Sequence, residues 1–235
     1  MNTAESCYTR KLLGSGRGVV AWQRLARFRR AVREIQQHFG GKRPGLLIDV
    51  GAADGIALPY WAPIADHVIG VNVYHSWSTD LRQNHPDRWA VTCDGRCLAF
   101  PDGSVDVLIC QEVLHFLWRT DDLTKCLADF RRVLSDRGVF VCSVPVEVGI
   151  PGAIKYVGRK AAGIPLEGMT FPVMLKHLFY PCFEISHYDR GEMVGFNAHQ
   201  FARRTAVHFR IKRRIGIPVR YPFSTSLMLI CTRAT

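Results

Sequence analysis

The 235-residue sequence lacks any apolar run of the roughly 18 residues that a membrane-spanning helix needs. Its first residues, M-N-T-A-E-S-C-Y-T-R-K, also lack the apolar core of a secretory signal. These two absences argue against a membrane-embedded or exported protein, so we expect a cytoplasmic one. Internal repeats and low-complexity tracts are missing as well, which argues against a repeat architecture.

Closely paired cysteine motifs are scarce. The eight cysteines are scattered, and only Cys93 and Cys97 lie close together. A C-x3-C spacing without a second Cys/His pair does not indicate a zinc site. No cluster of carboxylates and histidines has convincing metal-ligand spacing either. We therefore predict buried free thiols and no metal.

Acidic residues are few at both ends of the chain. Residues 1–43 contain ten Lys/Arg and only two acids, Glu5 and Glu34, and residues 200–235 contain eight Lys/Arg and no acid. The whole chain has a net charge of +11, so the centre is mildly acidic. The basic ends could attract an anionic substrate or surface, or they could form only a solvated face that aids solubility.

Through the centre of the sequence, short apolar runs alternate with segments of helical periodicity. The runs predict five buried strands at 46–50, 67–73, 89–93, 105–110 and 139–144. Two further runs, at 207–215 and 226–231, predict an antiparallel closing pair. The order predicts an α/β fold with a doubly wound, mostly parallel sheet and antiparallel closing strands. A ligand site is expected at the carboxyl ends of the first strands.

Three regions surround or interrupt this core. Residues 1–43 are predicted to form an arm and a basic amphipathic helix, whose apolar face contains Trp22 and Phe28. We expect Arg24, Arg27, Arg30 and Arg33 to lie mostly on its other face, and the helix to pack on its own domain rather than on a membrane. Residues 149–196 are rich in Gly and Pro and are predicted to be a helical cap inserted between core segments 44–148 and 197–235, all within a single domain.

The stretch from Leu46 to Gly55, L-L-I-D-V-G-A-A-D-G, is a strand that ends in a turn of small residues. Such a turn lets a ligand approach the backbone closely. Asp49 adds an acceptor for a cationic or amide-bearing ligand. The methyl group of Ala53 is tolerable in this turn if its φ is negative.

Four segments in this order resemble the class I S-adenosylmethionine-dependent methyltransferases, especially the small-molecule group known as type 11 or 12. They are L-I-D-V-G-A-A-D-G, V-I-G-V-N-V, C-D-G-R-C-L-A-F-P-D-G-S-V-D-V-L-I-C-Q-E-V-L and F-R-R-V-L-S-D-R-G-V-F-V-C-S-V-P. The resemblance covers about residues 44–145. It implies a methyltransferase that uses S-adenosylmethionine as its cofactor.

The resemblance also implies which residues meet that cofactor. Asp49 and the carbonyl of Gly51 would favour its ammonium group, Asn72 stands where the family usually has an acid for the ribose hydroxyls, and Asp94 matches the acid at the adenine amino group. The full predicted set is Asp49, Gly51, Ala52, Ala53, Gly55, Asn72, Val73, Asp94, Gly95 and Gln111.

The resemblance leaves the acceptor open. His115 is the candidate catalytic base, because an imidazole titrates in a useful range, although it could equally be a packed helix residue. An apolar cap favours a small or lipid-like acceptor methylated on oxygen, nitrogen or carbon. Two alternatives are an RNA methyltransferase and a non-catalytic partner subunit with the same fold. The oligomeric state has no sequence signature.

Overall fold

The computed structural model describes residues 19–117, 120–161, 170–179, 196–220 and 223–234. The helices in these residues are α1 (Val19–His38), α2 (Leu58–Trp61), α3 (His75–Asn84), α4 (Thr120–Val133), α5 (Gly149–Ala161), α6 (Phe171–Phe179) and α7 (Ala198–His208), and a short 3-10 turn spans Leu114–Leu117. The strands are β1 (Leu46–Val50), β2 (His67–Asn72), β3 (Trp89–Thr92), β4 (Val105–Gln111), β5 (Leu134–Pro145), β6 (Phe209–Ile217) and β7 (Ser226–Arg233).

The strands form one sheet in the order β3-β2-β1-β4-β5-β7-β6. The first five strands of that order, β3 to β5, run parallel to one another. β7 pairs antiparallel with both β5 and β6. This confirms the predicted doubly wound, mostly parallel sheet with antiparallel closing strands. The order reverses between β1 and β4, so the crevice for a ligand opens at the carboxyl ends of these strands.

Both faces of the sheet are covered, which explains why the central strands are continuous apolar runs rather than alternating ones. One core layer packs Phe130 of α4 and Phe201 of α7 onto Phe140 of β5. The opposite layer packs Phe28 of α1 and Trp61 of α2 onto β1 and its neighbours. β1 is therefore held rigidly between two layers, with its carboxyl end directed at the crevice.

Helix α1 packs on the sheet through Phe28, Ala31 and Ile35, which are buried. Trp22, expected on the apolar face, is instead exposed. The prediction that the arginines lie mostly on the solvent face is wrong for Arg27, whose side chain is largely buried and bonds Glu112. An arginine beside the apolar stripe can extend its long stem along the packed surface and place its head group at the sheet edge.

Helix α1, from the basic N-terminal segment, lies beside the basic closing strands in the fold. Glu34 of α1 is buried and accepts ion pairs from Arg30 at 2.8 Å and from Arg213 of β6 at 2.9 Å. Arg233 of β7 also pairs with Asp136 at 2.7 Å. Part of the basic excess therefore forms internal ion pairs, and the pair between Arg213 and Glu34 attaches α1 to β6.

Helices α5 and α6 follow the carboxyl end of β5 and contact each other through Tyr156 and Met174. They occupy the segment predicted to be a cap. Residues 162–169 and 180–195, which belong to that segment, lie outside the described residues, as does most of the predicted N-terminal arm. The predicted boundaries of the cap and arm stay predictions. Among the described helices, none is long and apolar enough to cross a membrane.

Candidate functional site

A cavity of about 880 Å³ opens at the carboxyl ends of β1, β2 and β4, with α1 along one side. Its wall contains every residue of the predicted cofactor set except Gly55, and it also contains the predicted catalytic residue His115. Gly55 lies in the same turn, but a Cβ atom there would contact the ring of His85 instead of the cavity. The fold therefore brings residues from four separate strand ends into one space.

The turn after β1 has room for backbone only. Gly51 has a φ of +84°, and its N–H donates to the carbonyl of Val71 at 2.8 Å. A Cβ atom on Gly51 would lie 2.3 Å from Cγ2 of Val113. Glycine is therefore required here twice, by the left-handed backbone and by the close approach of the segment that follows β4.

Ala53 is in the left-handed region, with a φ of +50°. The condition under which its methyl group was expected to be tolerable, a negative φ, is not met. The side chain of Asn72 compensates by binding both backbone groups of Ala53: its Oδ1 accepts from the N–H at 2.8 Å, and its Nδ2 donates to the carbonyl at 2.9 Å. Since Asn72 is buried, these bonds fix the turn.

This pairing gives Asn72 a role that the sequence did not indicate. An aspartate at this position could accept from the N–H but could not donate to the carbonyl, so the amide suits the observed turn better than a carboxylate does. The amide retains one hydrogen and one lone pair that are not used by Ala53. The predicted contact with the ribose would use this remaining hydrogen and lone pair of Asn72.

Replacing Asn72 with alanine is expected to destabilise the fold by roughly 1–3 kcal/mol, because two partly buried backbone groups of Ala53 lose their partners. The left-handed turn at Ala53 should then relax and weaken cofactor binding. Asn84→Ala is the matched control, since the exposed Asn84 donates a single bond to the carbonyl of Asp54 in the same loop. Urea denaturation and calorimetric titration with S-adenosylhomocysteine measure both effects; equal losses in the two variants would contradict this role.

Asp49 lies at the end of β1 and is almost completely buried. Its Oδ2 accepts a hydrogen bond from Nε1 of Trp61 at 2.8 Å. Burial raises the pKa of Asp49 to about 6, and the Trp61 bond opposes part of that rise. A carboxylate that is costly to ionise, and that faces a cavity, gains the most from a cationic ligand.

Asp94, at the end of β3, is held by a neighbouring cation. Its carboxylate pairs with Arg96 at 2.6 Å, and Arg96 also pairs with Asp122 of α4 at 3.0 Å. The hydrogen bond from Arg96 holds the pKa of Asp94 below its usual value. Asp94 is therefore an ionised acceptor that is fixed in position at the rim of the cavity.

The inner wall contains polar atoms without partners. Both side-chain polar atoms of Gln111 and both ring nitrogens of His115 are buried and have no hydrogen-bond partner among the described residues. His115 is only 1% exposed. Burying such groups is costly unless a ligand or water completes their hydrogen bonds. These two residues thus indicate a polar ligand at the inner end of the cavity.

An ion-pair network closes the cavity beside them. Arg27 of α1 pairs with Oε1 of Glu112 at 2.9 Å, and the hydroxyl of Ser143 donates to the same oxygen at 3.1 Å. Glu112 adopts a φ of +56°, which directs the segment after β4 back toward α1. Sequence reasoning missed Arg27 because the contact joins an N-terminal helix to a distant strand end.

The cysteine prediction can be followed for the described part of the chain. Cys110, Cys126, Cys142 and Cys231 are free and buried, whereas Cys93 is only partly buried and Cys97 is exposed, so the prediction of a buried thiol is wrong for Cys97. Burial raises the pKa of Cys126 to about 12, so its thiol stays protonated. In the same described residues, no group of three or more His, Cys, Asp or Glu side chains could hold a metal ion.

Comparison with known proteins identifies the fold and a methyltransferase domain within the chain. Residues 48–142 match the family model described as "Methyltransferase domain". This match contains β1 to β4 and the strand ends that build the cavity. No curated protein sequence matches the chain.

Solved structures share the architecture at low sequence identity. A S-adenosylmethionine-dependent methyltransferase from Clostridium acetobutylicum superposes with a TM-score of 0.65 at 10% identity, covering 96% of each chain. The PH0226 protein from Pyrococcus horikoshii gives a TM-score of 0.64 at 12% identity, covering 93% of each chain. A TehB-like S-adenosylmethionine-dependent methyltransferase from Corynebacterium glutamicum gives 0.58 at 15% identity, covering 99% of this chain and 100% of its own.

The family match falls on the segment that forms the bare turn and most of the cavity wall, and the structural neighbours share the fold over most of the chain. Residues 48–142 form a methyltransferase domain, and the chain has the fold of S-adenosylmethionine-dependent methyltransferases, which supports S-adenosylmethionine as its cofactor.

Proposed function

We propose that the chain transfers a methyl group from S-adenosylmethionine to an oxygen, nitrogen or carbon nucleophile on a small or lipid-like acceptor. The observation that carries the proposal is the unpartnered ring of His115, which lines the same cavity as the bare turn at Gly51. One cavity can therefore hold the cofactor at the turn and the acceptor beside the imidazole.

The residues of the wall fit the cofactor. When bound, S-adenosylmethionine supplies an electrophilic methyl group on a sulfonium. Asp49 would favour the ammonium group of the cofactor, the turn from Gly51 to Ala53 would lie against it, and Asp94 would accept from its adenine amino group. The unpartnered amide of Gln111 offers a donor and an acceptor to the same ligand. These residues bind and orient the cofactor, which contributes to catalysis by proximity.

His115 acts on the acceptor as a neutral imidazole. Burial is the main reason that the pKa of His115 is lowered to about 4; the charge of Glu112 opposes this shift, and the charges of Lys155 and Arg27 act in the same direction as burial. At neutral pH one ring nitrogen donates and the other accepts. The accepting nitrogen can take a hydrogen bond from an acceptor hydroxyl or amine and so orient its lone pair. His115 is therefore proposed to orient the acceptor and not to act as a protonated imidazolium.

Apolar side chains near this ring support an apolar acceptor. Phe28, Leu114, Phe116 and Leu117 line the cavity together with His115. Pockets of this kind, largely apolar with a few polar groups, hold ligands with extensive apolar surface. The proposal is tested by incubating the protein with methyl-labelled S-adenosylmethionine and three separate fractions: a total lipid extract, aqueous metabolites and total RNA. Label in the lipids or metabolites supports it, whereas label confined to RNA contradicts it.

His115→Gln is expected to lower kcat by roughly 10–100-fold, while the affinity for S-adenosylhomocysteine changes by less than about twofold. His67→Gln is the matched control, because His67 is exposed at the opposite end of β2. Because the wild-type imidazole is already neutral above pH 4, kcat at saturating cofactor should show no loss as the pH falls through 6.5. A kcat that falls with an apparent pKa near 6.5 would contradict the neutral role.

A further inference from the structure

Helix α5 exposes an apolar stripe. Ile150, Ile154 and Val157 are spaced by four and three residues, so they share one face of the helix, and they are 43%, 48% and 61% exposed. The other side of the helix is packed, since Tyr156 is buried against Met174 of α6. A helix that carries apolar side chains on both its packed face and its exposed face is expected to contact a second apolar environment through the exposed face.

The neighbouring helix also exposes apolar side chains. α6 exposes Phe171 and Leu175, which lie one turn apart. Isolated apolar residues on a protein surface need no explanation, but two adjacent helices that both expose large side chains differ from that background.

Within these two helices the charged residues are all basic. The sequences of α5 and α6 contain four Lys/Arg and no Asp or Glu. Lys155 is directed inward, where it pairs with the buried Glu147 at 2.7 Å, whereas Lys160 is exposed at the end of the helix. Apolar residues combined with cations on a chain of net charge +11 are complementary to an anionic, apolar interface. A second copy is disfavoured, because it would place two basic surfaces against each other.

The stripe lies close to the cavity. α5 begins shortly after the carboxyl end of β5, on the sheet edge where the cavity opens, and Lys155 is near enough to His115 for its charge to act on the ring. A binding partner that contacts the outer face of α5 would therefore lie near His115, where the methyl acceptor is proposed to bind.

We propose that the outer face of α5, formed by Ile150, Ile154 and Val157, docks on the surface of an anionic lipid bilayer, which supplies the acceptor. This inference rests on the proposed transfer to a lipid-like acceptor. The helix lies in the plane of the interface, its apolar stripe enters the acyl boundary, and Lys160 meets the anionic headgroups. The bilayer then delivers an apolar acceptor to the cavity without its passing through water.

Vesicle flotation tests the docking. Wild-type protein is expected to float with vesicles of equal parts phosphatidylglycerol and phosphatidylcholine, and much less with pure phosphatidylcholine. The double variant Ile154→Gln/Val157→Gln should lower the partition coefficient by about tenfold or more, because two apolar contacts are lost without a change in charge. Lys160→Glu should lower binding to the anionic vesicles by about fivefold or more, with little effect on the neutral ones.

The matched control is Trp89→Gln/Val207→Gln. These two side chains are 74% and 77% exposed, and they lie where β3 begins and where β6 follows α7, at the ends of the strands opposite to the carboxyl ends that form the cavity. The control should float like the wild type. Equal flotation of both double variants, or no flotation of the wild type, would overturn the docking. A wild-type dimer that the α5 variant dissociates would also overturn it, since a second copy would then cover the stripe.

Calorimetric binding of S-adenosylhomocysteine separates this inference from the proposed function. All variants should retain that binding, which also shows that they are folded. A protein that floats but does not bind the nucleoside refutes the proposed function and leaves the docking intact. A protein that binds the nucleoside but does not float refutes only the docking.

Discussion

Asp49→Asn is expected to bind S-adenosylmethionine about 10–100-fold more weakly while unfolding at a Tm equal to or above that of the wild type. The loss of affinity follows from the loss of a charge-assisted contact with the ammonium group. The stability follows from burial. The pKa of Asp49 is raised from 3.8 to about 6 in the folded protein, so ionised Asp49 costs about 3 kcal/mol of stability at neutral pH. Asparagine removes that cost and can still accept from Trp61.

Asp49 makes both the stability of the fold and the affinity for the cofactor depend on pH, with opposite signs. Because the folded pKa lies above the unfolded one, the stability contribution of Asp49 is present below pH 3.8 and is lost as the pH rises through about 6. Cofactor binding shows the opposite trend, since a cation prefers the ionised carboxylate. The wild-type affinity should fall by up to about tenfold per pH unit below 6, and the asparagine variant should lack this fall. Calorimetric titrations between about pH 5 and 8 measure it.

Asp106→Asn is the matched control at the other end of the sheet. Asp106 accepts from the N–H groups of Gly45 and Leu46, where β1 begins, and it lies outside the cavity wall. It should lose stability without losing cofactor affinity, which is the reverse of the Asp49 result. If both variants lose affinity to the same degree, the role of Asp49 is structural and the proposed contact is wrong.

Gly51→Ala is expected to abolish measurable cofactor binding and to destabilise the fold by roughly 2–5 kcal/mol. The left-handed φ contributes about 1–2 kcal/mol for a residue with a Cβ atom. The approach of that atom to within 2.3 Å of Val113 Cγ2 adds an overpacking cost of about 1–3 kcal/mol. Relief of the clash must displace either the turn or the segment after β4, and both line the cavity. Thermal unfolding and calorimetry measure the two losses.

Gly103→Ala is the control that separates the cost of a positive φ from the cost of a steric clash. Gly103 also has a positive φ, +64°, but a Cβ atom there would meet nothing within 4 Å. This variant should therefore show only the backbone cost and should bind the cofactor normally. Equal destabilisation in the two variants would show that Val113 moves aside without cost, and that the close approach at Gly51 is not what the turn requires.

The sequence located much of the site because strand ends are readable from sequence. Each strand of the parallel sheet is a continuous apolar run, so the first polar or small residues after it mark the carboxyl edge. Asp49 was found in this way, the family resemblance implied Asn72, Asp94 and Gln111, and all four line one cavity. The positions of the strand ends do not show which neighbouring groups each side chain binds. Asn72 binds the backbone of Ala53, and Asp94 binds Arg96, as only the three-dimensional arrangement shows.

By itself the sequence determined the order of elements, the sheet and the bare turn at Gly51, because hydrophobic periodicity and glycine are local properties of the chain. Only the tertiary structure decided that Arg27 closes on Glu112 and that His115 is buried without partners. It also decided that the stripe on α5 stays open to solvent. The physical reason is that burial, ion pairing and pKa depend on residues that are distant in sequence, whereas a strand or turn depends on residues that are adjacent.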